Sequence, residues 1–154
     1  SRFLTLKKGN GVINRIFHGY GAYEGDMEGR RNGALIAMEQ GKAVAFAIFN
    51  LQARGEMFVT HNDPVYEGMI VGLAPKPGDM IINVMKGKQL TNMRTQGTDE
   101  NVVLTPVRQM SIAEQLSMLN TDEALEITPK SLRLRKAILN PNDRKKNEKS
   151  GTPL

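Results

Sequence analysis

Residues 34–49 read ALIAMEQGKAVAFAIF, two apolar runs (34–38 and 42–49) separated by Gln40-Gly41. That spacing predicts two strands joined as a hairpin. Downstream, residues 50–55 (NLQARG) read as a short helical turn stopped by Gly55. Residues 56–60 and 67–73 predict short strands joined by HNDP, in which Asp63-Pro64 starts a turn. A second turn, PKPGD at 75–79, leads into a strand at 80–85, and a further strand is expected at 102–104. Ser111-Ile112-Ala113-Glu114 is a capping box: the serine takes an early amide while the glutamate returns to the serine N–H. It predicts a helix with Ile112, Leu116 and Leu119 on one face, ending near Asn120. Two more strands, 125–128 and 131–135, flank Pro129, with Leu132 and Leu134 pointing one way and Arg133 and Arg135 the other. Asn140-Pro141 supplies a cap and an N1 proline for a short basic helix through Lys146, and the tail after it should fray.

Upstream of the opening stretch, residues 3–8 look like the last turn of a helix running into a left-handed stop at Gly9-Asn10-Gly11. Residues 12–23 alternate and predict a strand loosening at Gly19 and Gly21. The polar, glycine-bearing stretch 24–32 is the candidate domain boundary. No internal repeat is visible. The expected fold class is α+β, mostly β.

The 154 residues suffice for one good core and an appendage, and 40% hydrophobic with 24% charged residues is a globular composition. Aromatics are 5% with no Trp, so base stacking cannot be the main recognition device. With no cysteine, disulfides, thiolate metal sites and cysteine nucleophiles are excluded, which fits a reducing, cytoplasmic setting. No apolar run is long enough to cross a bilayer, so no membrane partner is expected. The net charge of +5 is concentrated: residues 128–154 hold eight cations against two acids, while the rest is close to neutral. Such a patch favours a polyanion and salt-dependent binding. A basic tail kept for solubility is the alternative.

One stretch belongs to no core. Residues 86–100, KGKQLTNMRTQGTDE, lie between apolar runs, have no apolar period, and carry Lys86, Lys88 and Arg94 with no acid until Asp99. Structureless connections beyond roughly 12–15 residues are uncommon and often functional. A hydrophilic loop tipped with cations, amides and hydroxyls suits an RNA backbone, while a solvated hairpin tip is the plain alternative.

Chemistry-bearing motifs are otherwise missing. Gly41-Lys42 and Gly87-Lys88 lack the upstream glycine and downstream hydroxyl of a phosphate loop, and Gly19-Tyr20-Gly21 precedes no helix pattern. His18 and His61 sit in different elements, and His61 with Asp63 reads as a turn. No catalytic, cofactor or metal residue is predicted, and the nine methionines read as core filler.

Taken together, GRRNGALIAMEQGKAVAFAIFNLQARGEMF, VYEGMIVG, GKQLTNMRTQGTDE and ITPKSLRLRKAILNPNDRKK resemble the C-terminal part of the TypA/BipA family of bacterial translational GTPases. The resemblance runs from Phe3 to about Lys146, and Lys88-Gln89-Leu90-Thr91-Asn92-Met93-Arg94 with Gly97-Thr98-Asp99-Glu100 is its most specific piece. It departs from the family at Arg2-Phe3, where members carry several further residues. The resemblance implies that residues 1–27 are the last helix and strand of a ferredoxin-like domain shared with elongation factor G. It makes 28–140 the family-specific C-terminal domain and 141–154 a short basic helix and tail.

The resemblance also implies a ribosome-associated parent that acts in stress-related translation and large-subunit assembly. GTP and Mg would bind in a domain this chain lacks. The 86–100 loop would approach the tRNA acceptor arm in the acceptor site, and other contacts would fall on 23S rRNA. On this view Lys86, Lys88 and Arg94 neutralise phosphates, and Gln89, Thr91, Asn92 and Thr98 bond riboses or phosphate oxygens. Lys130, Arg133, Arg135, Arg144, Lys145 and Lys146 form a second contact. For Arg133 and Arg135 an ordinary solvated strand face is an equal reading. The competing function is a protein-interaction or bracing domain with no direct RNA contact, and an independent enzyme is a third.

Overall fold

The computed structural model describes residues 11–12, 14–23, 30, 32–87 and 103–150. Strand β1, Ala34–Ala37, is buried at every position. Ala34 and Ile36 enter one apolar cluster while Leu35 and Ala37 enter another, so both faces are covered. That is why the run ALIA does not alternate with polar residues.

β1 does not form a hairpin with the run that follows it. It pairs antiparallel with β5 (Ile70–Leu73) and parallel with β6 (Met80–Ile82), and β3 (Glu56–Met57) adds to β5 in the order β3-β5-β1-β6. The strand expected at 42–49 is instead a two-residue strand, β2 (Gly41–Lys42), followed by helix α1 (Ala45–Gln52). An eight-residue apolar run fits either state, and tertiary packing decided between them. Ile48 and Leu51, at helical spacing, pack into the cluster on the Leu35 face of the sheet, and Ala47 is also buried. Fully burying Ile48 and Leu51 stabilises this arrangement by roughly 1.5–3 kcal/mol each.

The turn at HNDP forms as expected: Asp63 accepts the Thr60 N–H at 2.7 Å and Asn62 takes a left-handed φ of 69°. Its last residue, however, begins β4 (Pro64–Val65), which pairs with β2. The strands predicted at 56–60, 67–73 and 80–85 are real but shorter.

The opposite face of the four-stranded sheet, carrying Ala34, Ile36 and Ile70, packs Leu134 and Leu125 of a second hairpin together with Met110 and Leu119. That hairpin, β7 (Glu123–Ile127) and β8 (Leu132–Lys136), forms around Pro129 close to the predicted limits. The fold is thus α+β, with α1 on one face of the central sheet and the β7–β8 hairpin on the other.

Three further expectations fail. Residues 103–104 are not a strand; Leu104 leans on the core, and Gln52 brackets Thr105 by bonds to its C=O (2.7 Å) and N–H (3.1 Å). No strand forms among residues 11–12 and 14–23, where Val12, Ile16 and Phe17 are all exposed. A strand needs a paired backbone and a covered face, and the described residues supply neither. Helix α2 (Ile112–Met118) has its capping box, but it exposes Ile112 and Leu116 and buries Gln115. Only Leu119, at its C-cap, joins the core from the face that was predicted. The expected helix at 3–8 and the tail 151–154 lie outside the described residues.

Candidate nucleic-acid interface

Of the predicted loop contacts, Lys86 lies at the described edge and is exposed. Lys88, Gln89, Thr91, Asn92, Arg94 and Thr98 lie outside the described residues. The second predicted group is described in full, and β8 organises it. Period-two alternation puts Leu132, Leu134 and Lys136 on the inner face and Arg133 and Arg135 on the other.

Lys136 therefore points where an apolar side chain belongs. Its side chain is 2% exposed, and its ammonium reaches Asp79 (2.5 Å), Asp122 (2.7 Å) and Glu123 (3.0 Å). Arg30 closes the cluster with a bidentate fork on Glu123, at 2.7 and 3.1 Å. Asp79 also accepts the Ala34 N–H at 2.7 Å, so one cluster joins the chain entering the domain, the start of β1 and the hairpin. Burial pushes the Lys136 ammonium toward neutrality, but the hydrogen bonds to its carboxylates outweigh this and hold its pKa above the usual lysine value. For Asp79, burial is likewise outweighed, by Lys136 and the Ala34 amide, and its pKa is lowered.

The cations beyond Lys136 behave differently. Gly68, at φ +83°, accepts the Lys136 N–H on its carbonyl (2.9 Å), and a Cβ there would lie 2.7 Å from the Cα of Leu139. This close passage fixes the segment that leaves β8. Arg135 Nη1 donates to the carbonyls of Lys136 (3.1 Å) and Ala137 (3.4 Å). Arg144 Nη1 donates to those of Ile138 (3.0 Å) and Leu139 (2.6 Å). Four consecutive carbonyls thus hold two guanidinium groups by one nitrogen each. Neither guanidinium forms an ion pair within 4 Å of a carboxylate among the described residues, although Arg135 acts on Glu126 at longer range and Arg144 lines a small cavity with Asp122 and Glu148, and each has further N–H groups that can donate.

Arg144 belongs to helix α3 (Pro141–Ser150), in which no residue is buried. Asn140 caps it, accepting the N–H groups of Asn142 (2.9 Å) and Asp143 (3.4 Å). Asp143 in the first turn and Lys149 in the last complement its dipole. A ten-residue helix without an apolar face is marginal by itself, so the cap and the Arg144 tether matter.

Lys145 and Lys130 are exposed without a carboxylate partner among the described residues, and Lys146 makes a 3.4 Å pair with Asp143. Lys130 sits at the hairpin turn, at the opposite end of β8 from α3. Arg133 faces Glu126 across the hairpin and pairs with it at 3.1 Å. Glu126 also accepts the Tyr66 hydroxyl at 2.5 Å. Burial and this carboxylate push the Tyr66 pKa up to about 12. An open groove lined by Met38, Glu39, Gln40, Tyr66, Glu67 and Leu139 carries acids and no cation, which does not suit a polyanion.

The sequence reading missed Arg30, Asp79, Asp122, Glu123, Tyr66 and Glu126. A signal existed for Lys136 alone: a lysine two residues beyond Leu134 on an apolar face needs a buried partner.

Fold and charge together define a small α+β domain whose interior cations are neutralised and whose hairpin exit keeps its cations available. The chain belongs to the TypA/BipA C-terminal domain family, which it matches over residues 32–141. It is 45% identical over 155 residues to the large ribosomal subunit assembly factor BipA of Buchnera aphidicola subsp. Schizaphis graminum, covering 100% of this chain and 26% of that protein. It is also 45% identical over 147 residues to the proteins of that name from Salmonella typhimurium LT2 and Escherichia coli K12, covering 95% of this chain and 24% of each. The chain spans about a quarter of the length of these curated relatives.

Proposed function

We propose that this chain is the RNA-docking C-terminal module of a ribosome-associated translational GTPase that serves large-subunit assembly and stress-related translation in the cytoplasm. One observation carries the reading: among the described residues Arg135 and Arg144 donate to carbonyls and form no direct ion pair, whereas Arg30 and Lys136 are matched by carboxylates. An arginine already fixed by one nitrogen loses less freedom when its other edge takes a phosphate. Lys130, Lys145 and Lys146 extend the contact, and the 86–100 loop supplies the other arm with Lys86, Lys88, Gln89, Thr91, Asn92, Arg94 and Thr98. The partners in this reading are 23S rRNA and the tRNA acceptor arm within the acceptor site. GTP and Mg belong to another part of the parent, and this module performs no catalysis. Residues 1–27 close a preceding ferredoxin-like domain, 28–140 form the docking domain and 141–154 its basic extension.

The test is sedimentation of the full-length protein with ribosomes across a salt series. R135A/R144A and K88A/R94A should each weaken association and flatten the log–log slope by about 1.4–1.8, as two phosphate contacts require. Unchanged slopes in both would overturn the reading. A bracing role is the second reading, favoured by Arg30, which ties the entering chain to Glu123. Association that survives nuclease and high salt would support it.

A further inference from the structure

Glu126 holds a position where two donors converge. Its Oε2 accepts the Tyr66 hydroxyl at 2.5 Å and its Oε1 accepts Arg133 Nη1 at 3.1 Å, while Arg135 lies on the same face of β8. The carboxylate and the guanidinium are 31% and 26% exposed, so the pair is reachable from solvent. A phosphate presents the same pair of acceptor oxygens as a carboxylate to a guanidinium fork. A solvated ion pair is weak enough for a second anion to displace.

We propose that Tyr66 and Arg133 form a phosphate-binding seat for an RNA backbone, which Glu126 occupies in the free protein. On binding, the Glu126 carboxylate turns to solvent, and the Tyr66 hydroxyl and Arg133 guanidinium donate to phosphate oxygens in its place. Arg135, anchored by the carbonyls of Lys136 and Ala137, adds positive charge alongside. Tyr66 also lines a groove with Glu39 and Glu67, acids that disfavour a phosphate in the groove itself. The inference rests on the RNA-docking reading and adds to it a site at which an internal acid competes with the ligand.

Poly(U) binding by the full-length protein at low salt, followed by anisotropy, tests this with near-isosteric variants. E126Q should bind about twofold to fivefold more tightly, the range that loss of one competing solvated ion pair corresponds to. R133A added to E126Q should abolish that gain, and Y66F should reduce it. E56Q, which changes the net charge equally at the distant Arg108 pair, should show no gain. Equal gains in E126Q and E56Q, or a gain that persists without Arg133, would overturn the seat in favour of general electrostatics. An E126Q variant that melts earlier and binds no better would assign Glu126 a purely structural role. Wild-type protein that fails to bind poly(U) while retaining ribosome association would also sink the seat. Loss of both would sink the docking reading itself.

Discussion

Arg135 and Lys136 are neighbours in sequence with the same charge, yet the pleat of β8 sends them to opposite environments. Lys136 faces inward, meets three carboxylates and has its charge cancelled inside the domain. Arg135 faces outward, donates to carbonyl oxygens and forms no direct ion pair among the described residues. A basic run in a sequence is therefore not one functional object. Half of it can be scaffold and half contact, and the strand period decides which residue is which. The same division runs through the whole charge set. Arg30 and Arg108 are paired with acids, whereas Arg144 and Lys145 form no ion pair among the described residues.

The strongest way to break this contrast is K136M. Removing one member of a buried ionic cluster leaves its carboxylates unpaired, and a loss of about 3–5 kcal/mol is expected in urea unfolding. A loss under about 1 kcal/mol would mean that the cluster is solvated and the contrast false.

The pH dependence of stability sharpens the same point. The pKa of Asp79 is depressed in the fold, so its contribution is present above the unfolded value near 3.9 and disappears as pH falls through the lower folded value. The pKa of Lys136 is raised, so its contribution is present below about 10.4 and disappears as pH rises through the higher folded value. Tyr66, raised to about 12, adds to the alkaline limb. Melting temperature should therefore fall in acid below about pH 4 and in alkali above about pH 10, and K136M should shrink the alkaline fall while Y66F removes the tyrosine share. An alkaline limb identical in K136M would refute the assignment.

G68A tests the passage that presents the four carbonyls. The left-handed φ and the contact with Leu139 should cost about 1–3 kcal/mol in thermal melts, with a matching loss of ribosome affinity. R144A should cost about 0.5–1.5 kcal/mol, seen as loss of helical circular dichroism from α3 with the β core intact. The smallest stability change belongs to K145A/K149A, within about 0.5 kcal/mol of wild type, with weakened polyanion binding as its only marked effect. A folding defect in that variant would show that the exposed lysines belong to the scaffold.

Local signals carried the elements whose geometry is set within a few residues. The Ser111–Glu114 capping box, the Asn140-Pro141 helix start and the β7–β8 alternation all rest on such short-range rules, and all three formed. What misled was the run at 42–49, whose apolar residues fit strand or helix until a neighbouring surface selects one. The face of α2 misled for the same reason. Its apolar residues at 112 and 116 have no receiving surface among the described residues, whereas Gln115 and Leu119 do. The strand expected at 12–23 shows the converse case, an alternating pattern that forms no strand among its described residues.

The sequence by itself determined the family, the caps, the turn chemistry and the placement of positive charge toward the end of the chain, because each is written in residue types at short spacing. Only the tertiary structure decided that β1 pairs with β5 and β6, that 45–52 coils, and which cations are neutralised. Those outcomes depend on what lies across from a side chain, and residues as far apart as Arg30, Asp79, Glu123 and Lys136 meet only once the chain has packed.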